Sequence, residues 1–204
     1  MSGRFVAVEG PNGAGKTTIA ALLADHLRRR TTDPVHLTAE PSDTPLGRLL
    51  RVAETTLTGR ALALAIAADR YAHIETEIIP HLDAGHWVIC DRYVQSSLVL
   101  QRIDGMPVEE IWQYNRFVLP PATSIYLIED AEVIRQRMAN RAGLSRLELT
   151  GTPERELDLY QQAFAFLARH DWPQIRIDCH TRTPHHIVED ILDHLNPHTS
   201  HPTR

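Results

Sequence analysis

The stretch VEGPNGAGKTT, residues 8–18, constrains this chain more than any other. Gly10, Gly15, Lys16 and Thr17 fit the spacing G-x-x-x-x-G-K-[ST]. The apolar run RFVAVE at 4–9 reads as a strand, and from Lys16 to about Arg30 a helical period puts Ile19, Leu22, Leu23 and Leu27 on one face. Glycines between a strand and a helix let successive backbone N–H groups turn inward, and the helix N-terminus adds its partial positive charge. A loop of this kind holds phosphate. Lys16, the only lysine in the chain, supplies a compact ammonium for the outer phosphates, and Thr17 offers a hydroxyl to Mg²⁺. Arginine would fit poorly there, because its planar fork imposes a geometry of its own.

The rest of the chain alternates in the same way. Strand patterns recur at 35–40, 86–91, 123–129 and 174–178. Helical patterns run from Pro45 to Leu57, Ala61 to about Leu82, Val108 to Val118, Ala131 to Met138, Pro153 to about His170, and Pro184 to Leu195. Five strands separated by helices predict an α/β fold, a parallel sheet covered by helices on both faces. No repeat or linker divides the chain. One domain is expected over 1–196, with a polar, basic segment near 137–151 and a disordered tail at 197–204.

With a formal net charge of -5, the molecule as a whole is no polyanion binder, so no nucleic-acid partner is expected and any phosphate site must be local. Two distant cysteines, Cys90 and Cys179, match no metal spacing and read as small apolar residues of a reducing compartment, although one bridge between them is conceivable. No signal-peptide pattern opens the chain, and the longest apolar run, ALALAIAA at 61–68, is too short to span a bilayer. A cytoplasmic location without membrane contact is expected. The 12 histidines form no coherent ligand spacing, and Trp87, Trp112 and Trp172 read as packing residues.

A second candidate site closes the apolar strand HWVICD. Asp91 stands at its carboxyl end, where parallel sheets gather their ligands. It can hold Mg²⁺, accept a proton from an attacking group, or simply end the strand as a turn residue. Arg92 follows, and guanidinium groups suit phosphate. Glu9, just before the loop, either organises metal-bound water or stabilises the turn. A guanine-reading N-K-x-D cannot occur in a chain whose one lysine is Lys16.

The segments FVAVEGPNGAGKTT, AEPSDTPLGRLLR, LAIAADRYAH, VICDRYVQSSLVLQ and NRAGLSRLE, in that order, resemble thymidylate kinases, P-loop nucleoside-monophosphate kinases that phosphorylate dTMP. The resemblance covers nearly the whole chain, and DRYVQSS with the upstream AADR is its most diagnostic part. It implies the three-layer P-loop NTPase fold with a short basic lid, ATP and Mg²⁺ as cofactors, and a homodimer packed through helices. ATP would lie on Gly10, Asn12, Gly13, Ala14, Gly15, Lys16, Thr17 and Thr18, with Arg137 beside it. Thr17 and Asp91 would hold the metal. Lys16, Asp91, Arg92, Arg141 and Arg146 would carry the catalysis, the last two as lid arginines, since the loop position where some members keep a catalytic arginine is Gly13. The acceptor would meet Glu9, Asn12, Arg51, Ile66, Arg70, Arg92, Ser97, Leu100 and Gln101.

Three departures gather around that acceptor. Ile66 stands where members usually carry a stacking Phe, Leu100 where a Tyr is common, and Asn12 where a carboxylate is usual. AEPSD likewise replaces the common REPGG. The phosphate machinery is intact while the base and sugar reader is altered. The expected activity is phosphorylation of dTMP to dTDP. The alternatives are a shifted acceptor (another pyrimidine nucleotide, a nucleoside or a specialised metabolite) or a non-catalytic nucleotide binder.

Overall fold

The computed structural model describes residues 3–140 and 150–195. Strands β1 (Arg4–Glu9), β2 (Val35–Ala39), β3 (Trp87–Asp91), β4 (Thr123–Ile128) and β5 (Gln174–Asp178) form one sheet. Its order is β2-β3-β1-β4-β5 and every neighbouring pair is parallel. The helices are α1 (Lys16–Arg30), α2 (Pro45–Ala53), α3 (Gly59–His73), α4 (Ile79–Asp83), α5 (Val94–Ile103), α6 (Val108–Asn115), α7 (Ala131–Ala139), α8 (Pro153–Ala168) and α9 (Pro184–Leu195).

Strand alternation builds the three layers. Phe5 and Ala7 of β1, with Val88 and Cys90 of β3, face a core shared with α5, α6 and α8. Val6, Val8 and Ile89 face the opposite core, where Ile19, Leu23 and Leu27 of α1 meet Ile187 and Ile191 of α9. Trp87 and Trp172 are buried in these cores, and the Trp172 indole N–H donates to Ser124 Oγ at 2.9 Å. Cys90 and Cys179 are free and buried. Among the described residues no helix is long and apolar enough to cross a membrane, and no group of three or more His, Cys, Asp or Glu is arranged to hold a metal.

The sheet fixes where a ligand can bind. The helix after β1 covers one face, and the helix after the adjacent β3 covers the other. The carboxyl ends of β1 and β3 therefore flank the topological switch point, where an open α/β sheet leaves its crevice.

Two elements differ from the sequence expectation. The long helix expected from Ala61 to Leu82 is interrupted by a π-helical turn over Ile74–Ile78, closed by Ile79 N–H to Ile74 O. Pro80 follows at once; it has no N–H for the α-helical ladder, and a wider turn accommodates its ring. Helix α5 has no counterpart in the sequence reading. Its buried face carries Gln95, Ser96, Ser97 and Gln101 among its apolar residues, which erases the hydrophobic period.

Candidate active site

The phosphate loop joins β1 to α1. Gly10 turns the chain with φ 146°, and a Cβ there would stand 2.8 Å from Leu127 O. Gly15 has φ 94° and forms the N-cap of α1; its missing side chain would point into open space. No acidic residue occupies the first turn of α1 and no side chain caps it, so its leading N–H groups remain for a ligand. Lys16 is 5% exposed and donates from Nζ to Pro11 O at 2.8 Å. Burial, aided by the nearby Arg92, lowers its pKa to about 7, against the pull of Asp91, Glu156 and Glu9. A cavity of about 380 Å³ opens here against Gly13, Gly15, Lys16, Thr17, Thr18 and Arg137. Arg137 donates to Gly13 O at 3.1 Å and pairs with Glu129 at 3.1 Å.

Ala14 is placed otherwise than expected. Its N–H is bonded to Pro11 O at 3.1 Å and its methyl group lies in the core, so it offers this cavity no donor. Gly10 likewise shapes the turn rather than lining the cavity.

The end of β3 meets the first turn of α1. Thr17 Oγ1 donates to Asp91 Oδ2 at 2.6 Å. The other oxygen, Asp91 Oδ1, is buried without a hydrogen-bond partner. A buried carboxylate oxygen left open beside a threonine hydroxyl fits a hard cation with oxygen ligands, so Thr17 and Asp91 are the residues suited to Mg²⁺. Arg92 takes the left-handed conformation, φ 73°, held by its N–H to Val8 O. That turn sends its guanidinium back toward the loop, where it donates to Asn12 Oδ1 and, at 3.3 Å, to Ser96 Oγ. The backbone N–H of Asn12 donates to Glu156 Oε1 of α8 at 2.9 Å.

Glu9 lies apart from both cavities. It is fully buried; Oε1 accepts from the N–H groups of Tyr93 at 2.6 Å and Ser96 at 3.2 Å, and Oε2 from Ser96 Oγ at 2.7 Å. It is a carboxyl group at the N-terminus of α5, and it lines neither cavity. Burial raises its pKa, while the bonds from Ser96 and Tyr93 and the charge of Arg92 oppose that shift.

A second cleft, about 320 Å³, opens on the far side of Asn12 and Arg92. Arg51 borders it, with its guanidinium on Ser42 O at 3.0 Å and on Pro41 O. Leu62, Ile66 and Leu100 make an apolar wall, and Arg70, Ser97 and Gln101 a polar one. Arg70 is 1% exposed and already engaged: Nε donates to Glu40 at 2.7 Å, Nη1 to Asn115 Oδ1, and Nη2 to Tyr93 O at 3.1 Å and Ser97 Oγ at 2.9 Å. Of its five donors, at most one is left for a ligand. Gln101 Oε1, by contrast, is buried with no partner.

The structure thus brings Lys16, Thr17, Thr18, Asn12, Gly13, Gly15, Asp91, Arg92 and Arg137 around one crevice. Arg51, Ile66, Arg70, Ser97, Leu100 and Gln101 line the adjoining cleft. Arg141 and Arg146, with most of the expected lid at 137–151, lie outside the described residues. Glu40, Asn115 and Glu156 escaped the sequence reading. Glu156 had no signal to give, since its partner Asn12 is 144 residues away.

A phosphate loop and a second, arginine-bordered cleft that meet at Asn12 and Arg92, with a threonine–aspartate pair at the switch point, define a P-loop enzyme of the nucleoside-monophosphate kinase class. Comparison with known proteins narrows this. The family model described as thymidylate kinase matches residues 8–171. A probable thymidylate kinase of Caldivirga maquilingensis is 36% identical over 193 residues, covering 92% of this chain and 91% of its own. The thymidylate kinase of Limosilactobacillus reuteri is 37% identical, covering 79% and 84%, and a probable one of Pyrobaculum aerophilum is 32% identical, covering 93% and 94%. The chain belongs to the thymidylate kinase family.

Proposed function

We propose that the chain transfers the γ-phosphoryl group of ATP to dTMP, giving ADP and dTDP. The observation that carries this reading is the hydrogen-bonded Asn12–Arg92 pair, which lines both the phosphate cradle and a nucleotide-sized cleft, with Thr17 and Asp91 in contact at 2.6 Å beside the cradle. ATP would lie with its outer phosphates on Lys16 and the N–H groups that open α1. The acceptor monophosphate would lie between Arg51 and Arg92. An oxygen of that phosphate attacks the γ-phosphorus, and the bond from phosphorus to the β,γ-bridging oxygen breaks, leaving ADP. Phosphoryl transfer asks a protein chiefly for alignment and for positive charge around the equatorial oxygens. Lys16 and Arg92, which line the same crevice, would supply that charge. Mg²⁺ held by Thr17 and Asp91 would neutralise charge on the β- and γ-oxygens. Arg137, with Arg141 and Arg146 beyond the described residues, would belong to a lid that closes over ATP and excludes water as a competing acceptor.

The polar wall supports a thymine base. Gln101 Oε1 lacks a donor, and a thymine presents one at N3. The remaining N–H of Arg70 suits the O4 acceptor beside it. Cytosine presents the opposite pattern, an N3 acceptor and an amino donor, and would leave Gln101 facing a lone pair.

The same proposal includes a homodimer. Leu49 and Val52 of α2 and Leu64 of α3 are 61%, 72% and 50% exposed, an apolar surface that packing through these helices would cover. The free thiols suit a cytoplasmic location. The deciding experiment is an ADP-release assay with ATP, Mg²⁺ and a panel of nucleoside monophosphates. Turnover with dTMP above dCMP and the purine nucleotides is expected, and absence of turnover with every acceptor would refute the reading.

A further inference from the structure

Two buried polar atoms face each other without a hydrogen bond. His73 Nδ1 on α3 and Glu40 Oε1, just past β2, are both buried and unpartnered, 3.5 Å apart. His73 is 0% exposed. Unsatisfied buried polar atoms are rare enough that a facing pair needs a reason. The other side of the imidazole also meets a hydroxyl and a carboxylate. Nε2 lies 2.8 Å from Thr38 Oγ1 and 3.5 Å from Glu77 Oε2. With a proton on Nε2 alone, the Nδ1 lone pair would point at a carboxylate oxygen across a desolvated gap, and that arrangement is repulsive. With a proton on Nδ1, Nδ1–H is directed at Glu40 Oε1, which satisfies this pair after a shift of a few tenths of an ångström.

Glu40 connects this contact to the cleft. Its second oxygen accepts from Arg70 Nε at 2.7 Å, and both Glu40 and Arg70 line the cleft assigned to the acceptor. His73 lies one helical turn beyond Arg70, so the two reach the same carboxylate from one face of α3. We propose that His73 is a positioning residue for acceptor recognition: its Nδ1–H holds the Glu40 carboxylate in the plane that fixes the Arg70 guanidinium at the base-reading end of the cleft. The groups that face the ring are Glu40 and Glu77, with Arg70 beyond the first and His36, 2.8 Å from Glu77, beyond the second. This inference rests on the acceptor reading given above.

Substitution separates orientation from bulk packing. In His73→Asn the amide nitrogen takes the place of Nδ1, whereas in His73→Gln it takes the place of Nε2. His73→Gln is expected to raise KM for dTMP roughly tenfold, with KM for ATP within about twofold and kcat within about threefold, and to lower the dTMP-to-dCMP preference. His73→Asn should recover most of that loss. Equal loss of the dTMP and ATP parameters, or an Asn variant no better than Gln, would overturn the proposal. Wild-type protein offers a readout independent of folding in the variants. Nitrogen-detected NMR of the imidazole should find Nδ1 protonated and its signal moving when dTMP is added. A ring protonated only at Nε2 refutes the inference even if the enzyme turns over dTMP, whereas a protonated Nδ1 without dTMP turnover would refute the substrate assignment instead.

Discussion

Glu9→Ala and Glu9→Gln should differ sharply, and the difference decides what this carboxylate does. In the structure its oxygens take the N–H groups of Tyr93 and Ser96 and the Ser96 hydroxyl, all at the start of α5. Alanine leaves two buried amides and a hydroxyl without an acceptor, at about 1–3 kcal/mol for each unsatisfied group. In its ionised form the carboxyl also favours the helix N-terminus, by another 0.3–1 kcal/mol or so. Against this stands the cost of keeping the carboxylate charged in a fully buried position. Before that offset the terms sum to a loss of about 3–10 kcal/mol, a large part of the roughly 5–15 kcal/mol typical of a domain. Glutamine keeps Oε1 for the two amides, and its amino group meets the Ser96 and Tyr160 hydroxyls, which can turn to accept; its cost should stay below about 1 kcal/mol. The pH dependence carries a further signature. Burial raises the Glu9 pKa above 4.5, so above that value the folded state holds more protons than the unfolded chain, and wild-type stability falls as pH rises toward the folded-state pKa. Glu9→Gln should lack this decline. Urea unfolding at several pH values measures all three proteins. Steady-state kinetics completes the test: Glu9→Gln should keep kcat within about threefold of wild type if the residue only anchors α5. A Gln variant as unstable as Ala, or a stable Gln variant that loses about a hundredfold in kcat, would show that the carboxylate serves ligand or metal and that the reasoning is wrong.

Lys16 should take up a proton when ATP binds. With a pKa of about 7 in the free site only about a tenth of Lys16 is charged at pH 8, and the phosphates restore the ammonium, so calorimetry in two buffers should register roughly 0.8–0.9 of a proton per ATP that Lys16→Met does not. In the absence of nucleotide the folded state binds fewer protons than the unfolded chain between about 7 and 10.5, so stability rises with pH across that window, and Lys16→Met should flatten the rise in thermal melts. Gln101→Leu removes an unpartnered acceptor of the polar wall and should lower kcat/KM for dTMP by roughly one to two orders of magnitude while affecting dCMP little; equal effects on both acceptors would show that the base lies elsewhere. Ile66→Phe adds an aromatic face to the apolar wall and should lower KM for dTMP by about two- to tenfold, the equivalent of 0.5–1.5 kcal/mol of stacking; a raised KM would mean the cleft has no room for a ring.

The parts of this molecule that were legible in advance are those whose chemistry is local. The loop from Gly10 to Thr17 announces itself because φ values of 146° and 94° call for glycine, and the strand before it and the helix after it start where the pattern predicts. The five strands were legible because a sheet buried on both faces needs short, continuous apolar runs. What stayed hidden depends on partners far along the chain. Glu9 sits beside the phosphate loop in sequence, yet its acceptors serve residues 93 and 96. Glu156 and Glu40 act on Asn12 and Arg70, and no local pattern marks either. Helix α5 was missed for the most informative reason. A helix whose buried face is largely polar defeats a search for hydrophobic period, and only a network or a ligand can satisfy such a face. Ser96 is taken by Glu9 and Ser97 by Arg70, while Gln101 keeps one acceptor open at the cleft. The same residues that concealed the helix compose the wall where the acceptor base is proposed to lie, so a gap in the period between a strand-end Asp-Arg and the next helix is itself a signal of a substrate-reading face.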